Sequence, residues 1–356
     1  MLDKTDMKTN RKIIGFACSY TPLAIIDAAG FIPYRILPMG DHPDQAGKVL
    51  HDNLCPHIKK ILDRGLSGDI PNIHGMVFIN SCDAMRRLAD AWQKNLQDKV
   101  ILIDLPSSPE KKSILFFSDE LKRLKDTLSE WDGNRIDDDA LSKSVEKYNK
   151  LFQLLSELRK RAHADKLNGG IEAMQAIYNR AMTEPADIII DFLKQKINEP
   201  ENNFEQNNNA PIYLFGNVLP DPEVFKLIRS CGAKIVNDDL CTGSRMLPMI
   251  DLGGDDSIYV KLSRGILNSI ACARTFKPDN PGILSQEVLN GAKACGAKGV
   301  IGHTVKYCDP YLDRIPIVRD ALRKEGIPFL FLEGDCTLRS IEQHRTRIEA
   351  FIEMLK

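Results

Sequence analysis

Four times along this chain a helical stretch runs into a glycine and then into a short apolar strand. The junctions are Ala28-Ala29-Gly30 before residues 31–37, Cys231-Gly232 before Ile235-Val236, Cys295-Gly296 before residues 299–301, and Lys324-Glu325-Gly326 before residues 327–332. Glycine ends helices in this way because it enters the left-handed region without a Cβ clash. Further apolar runs at residues 13–16, 76–79, 100–105 and 211–215 read as strands, most of them leading into a helix. Strands alternating with helices predict parallel sheets with helices on their faces. With 356 residues the chain exceeds one average domain, so two Rossmann- or flavodoxin-like α/β domains are expected.

Between them the period changes. Leu141, Val145, Tyr148, Leu151, Phe152, Leu155 and Leu158 recur at helical spacing, and Asp137-Asp138-Asp139 places acidic groups where a helix start favours them. Residues 199–210 are rich in Asn, Glu and Gln and read as a linker. The expected organisation is an α/β domain over residues 1–108, a helical segment over 109–198, a linker over 199–210 and a second α/β domain over 211–356.

Composition narrows the partners. A formal net charge of −1 gives no reason to expect nucleic acid or an anionic membrane. No run of about 18 apolar residues is present, and residues 1–12 are polar, unlike a secretory signal. A cytoplasmic location is expected, where thiols stay reduced. The nine cysteines are therefore not read as disulfides. With no Cys-x-x-Cys anywhere, a metal site has to be assembled by the fold from distant segments.

The cysteines sort by position. Cys231 and Cys295 precede capping glycines at the far side of the sheets from the strand carboxyl ends, and read as packing residues. Cys336 follows the last strand and is ambiguous. Cys18, Cys82, Cys241 and Cys308 come shortly after strands, while Cys55 and Cys272 are expected at helix ends. Open α/β sheets place ligands at the carboxyl ends of their strands, and amides at helix starts favour thiolates and cluster sulfurs. Cys55, Cys82 and Cys308 are the first candidates for an iron–sulfur site. Six such cysteines outnumber the four that one ordinary cubane takes, and divide into two sets of three.

The segments Pro22 to Gly30 with Ile32-Pro33, Asn53-Leu54-Cys55, Asn80-Ser81-Cys82-Asp83-Ala84-Met85-Arg86-Arg87, Asp238-Asp239-Leu240-Cys241, Tyr307-Cys308-Asp309-Pro310 and Arg345-Thr346-Arg347-Ile348-Glu349-Ala350-Phe351 carry a resemblance along nearly the whole chain. In their order and spacing it resembles the 2-hydroxyacyl-CoA dehydratase D-component family, which also contains benzoyl-CoA reductase subunits. The resemblance implies that Cys55, Cys82 and Cys308 hold a 4Fe–4S cluster with one open iron. It also implies a separate ATP-hydrolysing iron–sulfur activase that delivers low-potential electrons, used by dehydratases to form a ketyl radical from a thioester.

Cys18, Cys241 and Cys272 depart from the dehydratase pattern. Such extra cysteines are similar to those of the double-cubane branch, which implies an 8Fe–9S cluster with Cys55, Cys82 and Cys308 on one cubane and Cys18, Cys241 and Cys272 on the other. The first expectation is thus an oxygen-sensitive reductase of a small molecule, forming a homodimer. One alternative is a single-cubane subunit of an acyl-CoA dehydratase or reductase, paired with a homologous subunit. Another is a non-catalytic electron carrier.

Near these cysteines, Arg86, Arg87 and Arg245 are candidates to neutralise a cluster, bind thioester phosphates or meet the activase. Ser19, Tyr20, Ser81, His303, Thr304 and Lys306 are candidate hydrogen-bond donors. His303 is the first choice as proton donor, being read just past a strand and titrating near neutrality. Gly253-Gly254 lacks the Lys-Ser/Thr of a phosphate loop, so nucleotide is expected on the activase.

Overall fold

The computed structural model describes residues 11–40, 42–132, 135–201, 208–269 and 272–356. The polar amino terminus up to residue 10 and the middle of the expected linker, residues 202–207, lie outside the described residues.

The first half runs β1 (Ile13–Phe16), α1 (Leu23–Ala28), β2 (Ile32–Arg35), α2 (Pro56–Leu66), β3 (Ile73–Asn80), α3 (Asp83–Asn95) and β4 (Val100–Asp104). Four helices follow: α4 (Lys111–Asp132), α5 (Asp138–His163), α6 (Gly170–Ala181) and α7 (Ala186–Asn198). The second half runs β5 (Ala210–Gly216), α8 (Pro222–Ser230), β6 (Ala233–Asp239), α9 (Ile258–Leu267), α10 (Ile283–Ala294), β7 (Gly299–Val305), α11 (Asp309–Lys324), β8 (Phe329–Gly334), α12 (Leu338–Glu342) and α13 (Arg345–Leu355).

Each half holds a four-stranded parallel sheet, and the two orders match: β2-β1-β3-β4 and β6-β5-β7-β8. The strand order reverses between β1 and β3, and again between β5 and β7, which opens a crevice at the carboxyl ends of those strands. The helix starts have local causes. Asp137, Asp221, Ser257 and Thr337 each accept an amide hydrogen bond at the start of α5, α8, α9 and α12. The four expected junction glycines, Gly30, Gly232, Gly296 and Gly326, all have φ between +66° and +87°.

The helical segment does not stand apart. Its apolar stripes pack with β1, β3, β4 and α1 in one core, which α9 of the second half joins. A second core spans both halves: Ile58, Phe78 and Trp92 of the first pack with Val218, Val305 and Cys336 of the second, and Cys55, Cys82, Cys241 and Cys308 border it. The crevices of the two sheets therefore face a shared apolar wall. Burying a large side chain there contributes roughly 1.5–3 kcal/mol to the packing of the halves.

Candidate metal centre

Four cysteines leave strands near this wall. Cys18 comes two residues after β1, Cys82 two after β3, Cys241 two after β6 and Cys308 three after β7. Cys55, Cys82 and Cys308 are each the N-cap of a helix, α2, α3 and α11. Cys82 and Cys308, read as strand-end thiols, open helices as Cys55 does. Pro56 and Pro310 in the first turns fit positions whose amides have no helical partner. Cys272 sits in the loop between α9 and α10, five residues past the last residue of α9, rather than at a helix end.

Helix-start amides lie beside these thiols and favour their ionised form without a cap hydrogen bond to sulfur: those of His57 and Ile58 act on Cys55, that of Met85 on Cys82 and that of Tyr311, which donates to the Cys308 carbonyl at 3.0 Å, on Cys308. The amide of Tyr20 and the hydroxyl of Ser81 likewise favour ionisation of Cys18, and Ser81 that of Cys82. Burial still wins over these donors. It pushes the Cys82 thiol up to about 11 and the Cys308 thiol up to about 12, and raises Cys18, Cys55 and Cys241 as well.

Electrostatic reach gathers the six at one place: Cys55 acts on Cys82 and Cys308, Cys82 on Cys308, Cys18 on Cys241, and Cys272 on Cys18, Cys241, Cys82 and Cys308 alike. All six are free thiols. Among the described residues no three His, Cys, Asp or Glu side chains converge as ligands of one metal ion. A cluster spreads its thiolates over separate irons, and soft sulfur donors near backbone amides are the set such clusters take.

Arg245 supplies a fixed charge near Cys241 and Cys272. It is 4% exposed. Its Nε donates to Asp239 Oδ1 at 2.8 Å, a second nitrogen donates to the Asp239 carbonyl at 2.8 Å, and a third donates to the Tyr311 hydroxyl. Against the desolvation that disfavours its charge, the Asp239 carboxylate holds Arg245 firmly protonated. Tyr311 in turn donates to the carbonyl of Gly216 at 2.7 Å.

Other expectations need correction. His303 and Thr304 lie inside β7, which continues to Val305. The strand runs on past the apolar stretch 299–301 and carries both residues into the core. His303 is 1% exposed, and burial pushes its imidazole down to about 4. It is therefore neutral and sealed beside Asp335 and His344, which does not suit a proton donor to substrate. Thr304 accepts from Asn217 Nδ2 at 2.8 Å in the core. Arg86 leans on Asn80, and Arg87 pairs with Asp83 and Asp90 at the surface. Lys306 is exposed. Cys231 and Cys295 cap the carboxyl ends of α8 and α10, away from the six, as packing residues. Cys336 is buried in the shared wall near Cys55, its thiol pushed up to about 12 by burial.

Three residues escaped the sequence reading. Asn217 closes the end of β5, its Oδ1 accepting the amides of Val218 and Val305 at 2.8 and 3.2 Å. Arg35 and Arg274 reach across between the halves. The signal for Arg35 was a charge inside an otherwise apolar strand; Arg274 had none beyond lying two residues after Cys272.

The profile of the family described as 2-hydroxyglutaryl-CoA dehydratase, D-component, matches residues 18–355. The chain belongs to this family. It is similar to one of the benzoyl-CoA reductase subunits of Thauera aromatica, 26% identical over 98% of this chain and 92% of that protein. The beta subunit of (R)-2-hydroxyglutaryl-CoA dehydratase of Acidaminococcus fermentans is 24% identical over 97% and 93%. The (R)-phenyllactyl-CoA dehydratase beta subunit of Clostridium sporogenes is 23% identical over 98% and 93%. The D-component family thus places this chain among dehydratase and reductase enzymes. No described helix is long and apolar enough to cross a membrane.

Proposed function

We propose that this chain is an oxygen-sensitive iron–sulfur reductase of a small molecule, built around an 8Fe–9S double cubane and supplied by a separate ATP-hydrolysing iron–sulfur activase. Cys55, Cys82 and Cys308 would hold one cubane, and Cys18, Cys241 and Cys272 the other. When bound, such a cluster supplies low-potential electrons through irons with exchangeable positions. The observation that carries the reading is the position of Cys272, within electrostatic reach of Cys18, Cys241, Cys82 and Cys308, so that cysteines from both halves gather at one place.

The chain's own groups have definable tasks. Cys55, Cys82 and Cys308 stand at the starts of α2, α3 and α11, where the helix dipole offsets negative charge without adding a titrating group. Ser81 favours the thiolate of both Cys18 and Cys82. Tyr20 Oη lies 3.3 Å from Thr275 Oγ1, which accepts the amide of Cys272 at 3.2 Å, so loops from both halves fix one another. The apolar wall keeps water from the inner side of the site. A homodimer would expose two such sites to the activase.

Anaerobic purification with an iron and acid-labile sulfide count tests this reading. About eight irons per chain are expected, against about four for one cubane. Cys272→Ser should retain about half the iron. A wild-type count near four would refute the double cubane and favour a single-cluster acyl-CoA dehydratase or reductase subunit.

A further inference from the structure

Arg35, at the end of β2, is one of the most deeply buried large side chains, 2% exposed. Its Nε donates to the carbonyl of Ala17 at 3.1 Å. One terminal nitrogen donates to the carbonyl of Cys241 at 2.7 Å and the other faces the Cys241 sulfur at 3.9 Å. It thus belongs to the first half of the chain yet grips the loop that carries a cysteine of the second. No carboxylate lies within ion-pair distance of it among the described residues, whereas Arg245 nearby has Asp239.

A buried charge without a counter-ion costs several kcal/mol. Carbonyl dipoles and a neutral thiol offset only part of this. The thiol that its terminal nitrogen faces at 3.9 Å is that of Cys241, and the carbonyl held by its Nε is that of Ala17, the neighbour of Cys18. The groups beside this charge that can become anionic are therefore cysteines of the second set. A cation kept in such a place makes physical sense when an anion shares it.

We infer that Arg35 is the positioning residue and counter-charge of the Cys18, Cys241 and Cys272 set: its fork clamps the Cys18 and Cys241 loops together across the two halves, and its charge compensates the thiolates when they bind metal. The inference rests on the two-set reading above. Arginine rather than lysine suits the place because its planar fork reaches two carbonyls and a sulfur at once.

The test compares anaerobically reconstituted wild type, Arg35→Gln and Arg35→Lys by iron and sulfide count and by cluster midpoint potential. Arg35→Gln should hold about half the wild-type iron, or, where the second set still loads, show a lower potential because a positive charge is gone. Arg35→Lys restores the charge and should keep most of the iron and a potential near that of the wild type. Wild-type iron and potential in Arg35→Gln would overturn the inference while leaving the two-set reading intact. A wild-type count near four removes both. If Arg35→Gln fails to fold, Arg35→Lys decides: a folded lysine variant with half the iron overturns the role of the charge.

Discussion

Replacing Arg245 by Met probes the best-defined buried pair beside the site. The two side chains, Arg245 and Asp239, are 2% and 3% exposed, so water cannot take over either charge. Arg245→Met removes two 2.8 Å hydrogen bonds to Asp239 and the donor to Tyr311, and leaves a buried carboxylate unpaired. Breaking such a pair from one side costs about 3–5 kcal/mol. The stranded carboxyl has an escape, which is to bind a proton. Burial already raises Asp239 with Arg245 opposing it, and without Arg245 it rises further. A carboxyl with a raised folded pKa stabilises the fold at low pH and loses that contribution as pH climbs through the folded value. The deficit of Arg245→Met should therefore be smaller at pH 5.5 than at pH 7.5, by at most about 2.7 kcal/mol at 1.36 kcal/mol per unit. Urea unfolding of the full chain followed by circular dichroism at both pH values measures it. In Asp239→Asn/Arg245→Met the pH dependence should vanish. A single-variant deficit independent of pH would refute the argument.

Three further outcomes are expected. A Cβ on Gly216 would stand 2.0 Å from the His303 carbonyl oxygen on the neighbouring strand, so Gly216→Ala should cost about 3 kcal/mol or more; a wild-type melting temperature would contradict this. Arg274 donates to the carbonyls of Ser81, Pro106 and Leu105 at 3.1, 2.8 and 2.7 Å, pinning the Cys272 loop to the first half. At about 1.5–3 kcal/mol per charged hydrogen bond, discounted because water reaches this partly buried place, Arg274→Gln should lose about 2 kcal/mol. Limited proteolysis should then cut the loop between α9 and α10 faster, and an unchanged digestion pattern would count against the pinning. In the metal-free chain Cys82 and Cys308, pushed up to about 11 and about 12 by burial, should alkylate at pH 7.5 at least roughly 100-fold more slowly than a free cysteine. Their reactivity should climb as pH approaches those values, and rapid labelling at pH 7.5, mapped by mass spectrometry, would argue against it.

The local code of this chain is plain to read. Apolar runs, N-cap residues and junction glycines depend on neighbours in sequence, so the two α/β halves, the helical segment and α8 at Pro222–Ser230 follow from residue order alone. So does the reading of Cys18, Cys82, Cys241 and Cys308 as strand-end thiols, because a parallel strand delivers its next residues to one side of the sheet. Strand ends are less legible. β7 runs on through Gly302-His303-Thr304-Val305 because its neighbours β5 and β8 pair with it there, and no local signal marks His303 as core. That Cys272 comes within reach of Cys18, Cys82, Cys241 and Cys308 was decided by how the two halves pack. Arg35 and Arg274 belong to that same level, for their partners lie 206 and 193 residues away. A cross-domain hydrogen bond leaves no periodicity in sequence; only the tertiary fold brings its two ends together.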